Sequence, residues 1–387
     1  MTAFNIATDV KIYIKQFPGN AFVLGLSKLG GPDVLAGDSA EWVELQCDVT
    51  DMDITRGSSQ NLGVLTIPEP ATARMSLQSV DQDPILNKQM RTGAEIRIDV
   101  IDSTATTVRM FTGRIDSIFT HYAPDGSMNL DIYALDAMKQ IMNSGYTPGV
   151  TPPFGTISEV LEYVVGLTGI TPSASSETSA IPTWYPLASD GQTNDIVNWL
   201  IDGSQGWFMI TRTNDEFTFY NSAHTANAIA AGPLFTFSNV HSTDPTHVCL
   251  TDINLAFDTF DQANLVYATL LDGVTSYHEQ NDDSVELYGV TRGDFDVPAL
   301  LSESQLIYWV RGVIKRMANK LVKEVAVNGL RPDGTLTDII TLEQGDAIKT
   351  EFTRNGETIS ETSVVARITH SLTPEAWDAK IEIWRGN

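Results

Sequence analysis

The sequence predicts a mainly β protein with α+β parts, and three observations predict it. Apolar and polar side chains alternate with a period of two in a series of short segments, the pattern of half-buried strands. Turn-forming residues separate those segments, as at Pro124-Asp125-Gly126 and Asn355-Gly356. Helical spacing is confined to a few stretches, of which one near the end of the chain is long.

Taken in order, 11–15 and 41–55 read as strands, and the segment opening at Ala71 alternates through Ala73, Met75 and Leu77. Residues 94–101 alternate through Ile96, Ile98 and Val100. Phe111-Thr112-Gly113-Arg114-Ile115-Asp116 leads into the turn at 124–126, beyond which Met128, Leu130 and Ile132 complete a hairpin. A short helix over 134–142 is expected to plug one end of the sheet, and 146–154, with Pro148, Pro152 and Pro153, reads as a linker.

Beyond it, Ile157, Val160, Leu161, Val164 and Val165, then Ile196, Val197, Leu200 and Ile201, recur at helical spacing. A second hairpin is expected from 207–213 and 216–220, turning at Asn214-Asp215. Strands follow at 251–257 and 264–271. The long helix runs over 303–323, with Leu306, Trp309, Val310, Val313, Met317 and Leu321 on one face. Three strands, 347–352, 364–372 and 379–384, close the chain. A length of 387 residues suits two or three domains, with limits expected at 1–150, 151–245 and 246–387.

Composition narrows the function. Hydrophobic residues make up 42% and charged residues 19%, enough to bury real cores. The net charge of -25, from 49 acidic against 24 basic residues, disfavours nucleic-acid and anionic-membrane binding. No apolar run reaches bilayer length and no leader pattern opens the chain, so synthesis in the cytoplasm without membrane insertion is expected. Cys47 and Cys249 lack metal or redox spacing and are expected to be buried free thiols.

Motifs for chemistry are missing from the sequence. There is no Gly-x-Gly-x-x-Gly and no Gly-Lys-Ser/Thr, and Gly203-Ser204-Gln205-Gly206 lacks the spacing of a nucleophile elbow. His241 and His247 flank a proline-containing loop without carboxylate or thiolate partners, and His121, His224, His278 and His370 show no metalloprotease spacing. The carboxylate pairs Asp51/Asp53, Asp81/Asp83, Asp282/Asp283 and Asp294/Asp296 suit turns and solvated faces better than glycan hydrolysis. Trp184, Tyr185, Trp199 and Trp207 leave a carbohydrate platform as an alternative to core packing. The expectation is no enzyme, with no catalytic residue, no cofactor and no metal.

Several segments, in order, resemble the minor tail proteins of tailed phages that carry the baseplate-hub fold. They are 71–77 followed by Asp81-Gln82-Asp83-Pro84, then Arg91-Thr92-Gly93-Ala94-Glu95-Ile96-Arg97-Ile98, Phe111-Thr112-Gly113-Arg114-Ile115-Asp116 and Ala134-Leu135-Asp136-Ala137-Met138. Asn264-Leu265-Val266 and Tyr288-Gly289 follow. The closing pattern is Leu342-Glu343-Gln344-Gly345-Asp346, Ile368-Thr369-His370 and Trp377-Asp378-Ala379-Lys380-Ile381. The first 40 residues and about 150–245 match only in outline.

The resemblance implies two tube-like β-barrel domains flanking a smaller α/β domain, in a homotrimer that forms a ring at the virion tail tip. It implies as partners a distal tail or tail-tube protein, the tape-measure protein and tail fibre or spike proteins, with DNA passing through unbound. A six-fold distal tail adaptor ring and a carbohydrate-binding receptor module are the alternatives.

Overall fold

The computed structural model describes residues 4–16, 40–61, 65–67, 69–78, 80, 90–102, 104–144, scattered positions between 159 and 203, 207–212, 216–220, 222–242, 244, 246–255, 262–270, 272–297, 300, 302–317, 322–331 and 336–384. In chain order the strands of the first half are β1 (Val10–Gln16), β2 (Glu41–Glu44), β3 (Asp48–Gly57), β4 (Ser59–Asn61), β5 (Leu65–Ile67), β6 (Thr72–Gln78), β7 (Glu95–Ile101), β8 (Thr107–Tyr122) and β9 (Met128–Leu135). The helical turn α1 (Ile6–Asp9) precedes them and α2 (Met138–Asn143) follows. Next come β10 (Trp207–Ile210), β11 (Phe217–Tyr220), α3 (Ser222–Ala231), β12 (Phe235–Ser238), β13 (His247–Leu255), β14 (Leu265–Leu270) and β15 (Ser276–Gln280). Then α4 (Asp282–Tyr288), β16 (Arg292–Val297), α5 (Glu303–Met317), β17 (Val322–Asn328), β18 (Ala347–Arg354), β19 (Glu357–Leu372) and β20 (Trp377–Trp384) complete the fold.

The N-terminal strands run antiparallel in the order β3-β6-β9-β8-β7-β1-β2. Their alternation aims one side of every long strand inward: Ile12 and Ile14, Met52 and Ile54, Met75 and Leu77, Ile96 and Ile98, Leu130 and Ile132 share one core. Each such side chain contributes roughly 1.5–3 kcal/mol on burial. The single strand expected over 41–55 is two. Leu45 donates its N–H to Ile12 O at 2.8 Å and stays on the β1 side. From Asp48 the chain pairs instead with β6 and β19. Asp99 of β7, opposite a bulge in β8 at Met110, is buried with Arg109 and Arg97 as its ion partners.

The second half closes on itself. Strands β18, β12, β13, β17, β20 and β19 pair in that order, and β19 pairs back onto β18, giving a six-stranded barrel. Phe237, Val325, Val327, Ile348, Val365, Ile368 and Ile381 fill it. Closure removes the open edges that a six-stranded sheet would otherwise present. Strand β19 belongs to both parts: its first half pairs with β18, and its second half pairs with β20 on one side and β3 on the other. A bulge between Val365 and Arg367 shifts the alternation by one, so Val365 and Ile368 both face the barrel core, and farther along the strand Leu372 reaches the N-terminal core.

Between β13 and β17 the chain builds a small α/β unit. Parallel β14 and β16 and antiparallel β15 form a three-stranded sheet, packed against Leu306, Trp309, Val310 and Val313 of α5. The long helix therefore exists, but strand β17 begins at Val322, within the range expected to be helical. There the alternation of Val325 and Val327 into the barrel core takes over from helical spacing. Helix α2 also starts later than expected, because Ala134 and Leu135 belong to β9. Its Met138 and Ile141 pack with Val165, Val197, Ile210, Phe217 and Phe219, so it faces the middle of the chain. The described positions of the two expected middle helices, Glu159, Tyr163, Val165 and Gly166, then Val197 and Asn198, are helical. The linker at 146–154 lies outside the described residues.

Candidate functional site

Four of the segments that carried the resemblance, 71–77, 342–346, 368–370 and 377–381, meet where the barrel joins the N-terminal sheet. The seam is the β3–β19 ladder, from Arg367 opposite Gly57 to Leu372 opposite Met52. Polar groups stitch it: Ser371 Oγ donates to Asp53 Oδ1 at 2.5 Å, and Thr55 and Thr369 hydroxyls meet at 3.2 Å. Gly57 sits at φ +100°, and a Cβ there would lie 2.3 Å from Ala366 O, so only glycine permits this approach. Gly113 plays the same part in β8, where a Cβ would fall 2.4 Å from Leu135 O.

At the end of the seam three distant parts of the chain share one carboxylate. Glu343 accepts from Arg56 Nη1 at 2.7 Å and from Arg212 Nε at 2.5 Å. Arg212 also donates to the carbonyls of Ile340 at 2.8 Å and Thr341 at 3.2 Å, while its own carbonyl accepts from Thr112 Oγ1 at 2.7 Å. Asp346 receives the Glu343 N–H at 2.7 Å, and Gln344 Nε2 reaches Ser58 Oγ at 3.5 Å. A recess of about 10 Å³ lies alongside, lined by Arg56, Ser58, Glu69, Asp136, Glu343 and Gln344. Its size suits about one water molecule.

Burial sets the charge states here. Burial raises the Asp346 carboxyl to about 6, and the nearby Glu343 carboxylate adds to this against the N–H it receives. Burial also pulls the Arg212 guanidinium below its ordinary value, with Glu343 opposing. His370 is driven down to about 3, first by burial and then by Arg56 and Arg212. It is neutral, and its Nδ1 accepts the Trp377 indole N–H at 3.2 Å, with the two rings edge to face. Trp377 is fully buried against Phe4. The arrangement pairs Glu343 with two cations and Asp346 with a backbone amide, and so ties distant parts of the chain together.

Two further resemblance segments use a buried polar side chain to hold backbone, one at the start of α2 and one within the small α/β unit. Asp136, buried, accepts the Met138 N–H at the start of α2. Asn264, also buried, donates to Gly289 O at 2.7 Å and accepts from Thr291 N at 2.8 Å, binding Asn264-Leu265 to Tyr288-Gly289.

The sequence-weighed candidates fall elsewhere. His241 is exposed and His247 starts β13, with Asp244 between them bonded to Thr246. Among the described residues no group of three or more His, Cys, Asp or Glu side chains is placed to hold a metal ion. Asp53 serves the seam, Asp294 pairs with Arg292, and Asp282 and Asp283 open α4. Asp81, Asp83, Trp184, Tyr185, Trp199 and Ser204 lie outside the described residues, and Trp207 contributes backbone pairing in β10. For the two cysteines the expectation of burial fails. Cys249 is exposed because β13 turns it to the outer side while Val248 faces the barrel core, and Cys47 is half-buried at the break between β2 and β3. Sequence reasoning missed Arg56 and Arg212, since neither has a local partner: their common acceptor is more than a hundred residues away. No helix among the described residues is long and apolar enough to cross a membrane.

No protein-family model matches the chain, and no curated protein does. Solved structures do. A tail protein from Neisseria meningitidis MC58 aligns over 97% of this chain and 96% of its own, with a TM-score of 0.64 at 8% identity. The 43 kDa tail protein of prophage MuSo2 from Shewanella oneidensis aligns over 98% of both chains, with a TM-score of 0.60 at 9% identity. Prophage tail protein gp18 from Listeria monocytogenes EGD-e covers 97% of this chain and 94% of its own, at TM-score 0.54 and 10% identity. At such identities the likeness is one of fold: this chain has the fold of phage tail proteins from end to end.

Proposed function

We propose that the chain is a structural, non-enzymatic component of a bacteriophage tail tip, of hub type, three copies of which form a ring that continues the tail tube. The observation that carries this reading is the end-to-end likeness to tail proteins, with neither chain leaving a large unmatched part. In this reading the N-terminal sheet and the six-stranded barrel are the two tube-like units, and the middle segment after residue 150 sits between them. The Glu343 junction keeps the two units in fixed relation, as a ring under load requires. The edge at β2, open among the described residues, is matched by a neighbouring subunit. The excess of acidic side chains gives a lumen that repels DNA during ejection. Distal tail or tail-tube protein and tape-measure protein lie on the ring's faces, and fibres or a spike attach outside.

The test is the mass in solution, by light scattering over a concentration series, alone and with tail-tube protein. A trimer, alone or on mixing, supports the hub; a hexamer points to the adaptor ring; a monomer indifferent to tube protein overturns both.

A further inference from the structure

The α/β unit exposes two surfaces that its own packing leaves uncovered. At the end of its sheet, where β15 stops and β16 begins, α4 turns only Ser284 fully inward. Leu287, Tyr288 and Val290 follow at 71%, 44% and 62% exposure, an apolar cluster at the end of a short helix. It is flanked by exposed Asp282, Asp283 and Glu286. The nearest cation along the chain, Arg292, is held bidentate by Asp294. The second surface lies on α5, across the face of the same sheet. There Tyr308, 58% exposed, lines up with Arg311 and Lys315 on the side opposite the buried Leu306, Trp309 and Val313. Arg311 meets Glu279 at 2.9 Å, so the stripe keeps a net positive character through Lys315.

We propose that these surfaces are the two halves of one contact between copies of this chain, the apolar, acid-flanked end of α4 docking on the tyrosine and basic stripe of α5 in the next copy. This rests on the ring reading above. The argument for a second copy as occupant is complementarity. Apolar meets aromatic and acid meets base, in a chain whose net charge of -25 otherwise drives copies apart. Because one surface is at the sheet's end and the other across its face, a copy cannot satisfy itself. A contact between unlike surfaces propagates head to tail and closes into a ring when the rotation allows. The patch is small beside the ~1,200–2,000 Å² of a stable interface, so it sets register and orientation within a larger contact.

The test uses charge exchange on the full chain, read as the concentration dependence of trimer formation by light scattering. D283K/E286K and R311E/K315E are each expected to weaken association by about tenfold or more, and the four changes combined to restore it to near the wild-type level. Circular dichroism and thermal unfolding confirm that each variant folds. A wild-type trimer with unchanged association in both reversed pairs overturns the contact while leaving the ring intact. Variants that trimerise normally but lose tail-tube binding also overturn it, assigning the patch to that partner. A wild-type chain that never trimerises, alone or with tube protein, sinks the ring reading itself.

Discussion

Replacing Glu343 by Gln tests the junction most directly. The carboxylate joins Arg56 at 2.7 Å to Arg212 at 2.5 Å, and the side chains are 22%, 10% and 13% exposed. Gln keeps the volume and one acceptor but leaves two largely buried guanidinium groups facing each other, with Asp346 as the carboxylate remaining beside Arg212. Breaking a buried pair by removing one partner costs about 3–5 kcal/mol. Residual water access, and the two carbonyls that Arg212 retains at Ile340 and Thr341, move the expectation to about 3 kcal/mol. Arg212→Met leaves Glu343 paired with Arg56 and should cost less. The double variant should cost less than the sum of the two, with a coupling of about 1 kcal/mol or more. Urea unfolding followed by tryptophan fluorescence reads these values, with a constant slope confirming that the unfolded state is comparable. A loss within about 0.5 kcal/mol for Glu343→Gln, or strict additivity, would show that the cluster behaves as a surface ion pair and that something else holds barrel and sheet together.

Other perturbations follow from the same geometry. Gly57→Ala puts a Cβ on Ala366 O at a positive φ and should cost several kcal/mol or prevent folding; a soluble variant with wild-type melting would refute the close approach. Trp377→Ala empties a fully buried site against Phe4 and His370 and should cost about 3–5 kcal/mol by the same denaturation assay. His370 stays neutral in the fold down to about pH 3 but binds a proton below its ordinary 6.5 when unfolded, so it erodes stability as pH falls from 6.5 toward 3. Asp346 opposes this. Its folded value of about 6 lies above the unfolded 3.8, so its ionisation penalises the fold above pH 6 and the penalty fades as pH falls toward 3.8. His370→Asn, which keeps an acceptor for Trp377, should therefore flatten the loss of stability between pH 6.5 and 4.5; parallel profiles for variant and wild type would discard the assignment.

The strands were legible because burial on one face of a sheet forces a period of two, and Met75, Ile98 and Ile132 stand where that period puts them. The turn at Asn355-Gly356 was legible too, since both residues take positive φ and these residue types tolerate it. Element ends were less so. At residues 45–47 and at 322 the outcome depended on which distant strand offered a ladder, and a local pattern carries no record of that. Strand β12 was missed altogether, because four residues are too few for a period to register and its partners, β13 and β18, include one more than a hundred residues on.

By itself the sequence determined the class of the fold, the ordered segments that resemble tail proteins, and the absence of any motif for familiar chemistry. Only the tertiary structure decided what those segments are for. Glu343, Gln344, Asp346, His370 and Trp377 read as unrelated residues until β19 crosses from the barrel to the N-terminal sheet and brings Arg56 and Arg212 to meet them. The physical reason is that periodicity reports how a residue faces its own element, whereas the partner of a buried charge is fixed by chain closure over hundreds of residues.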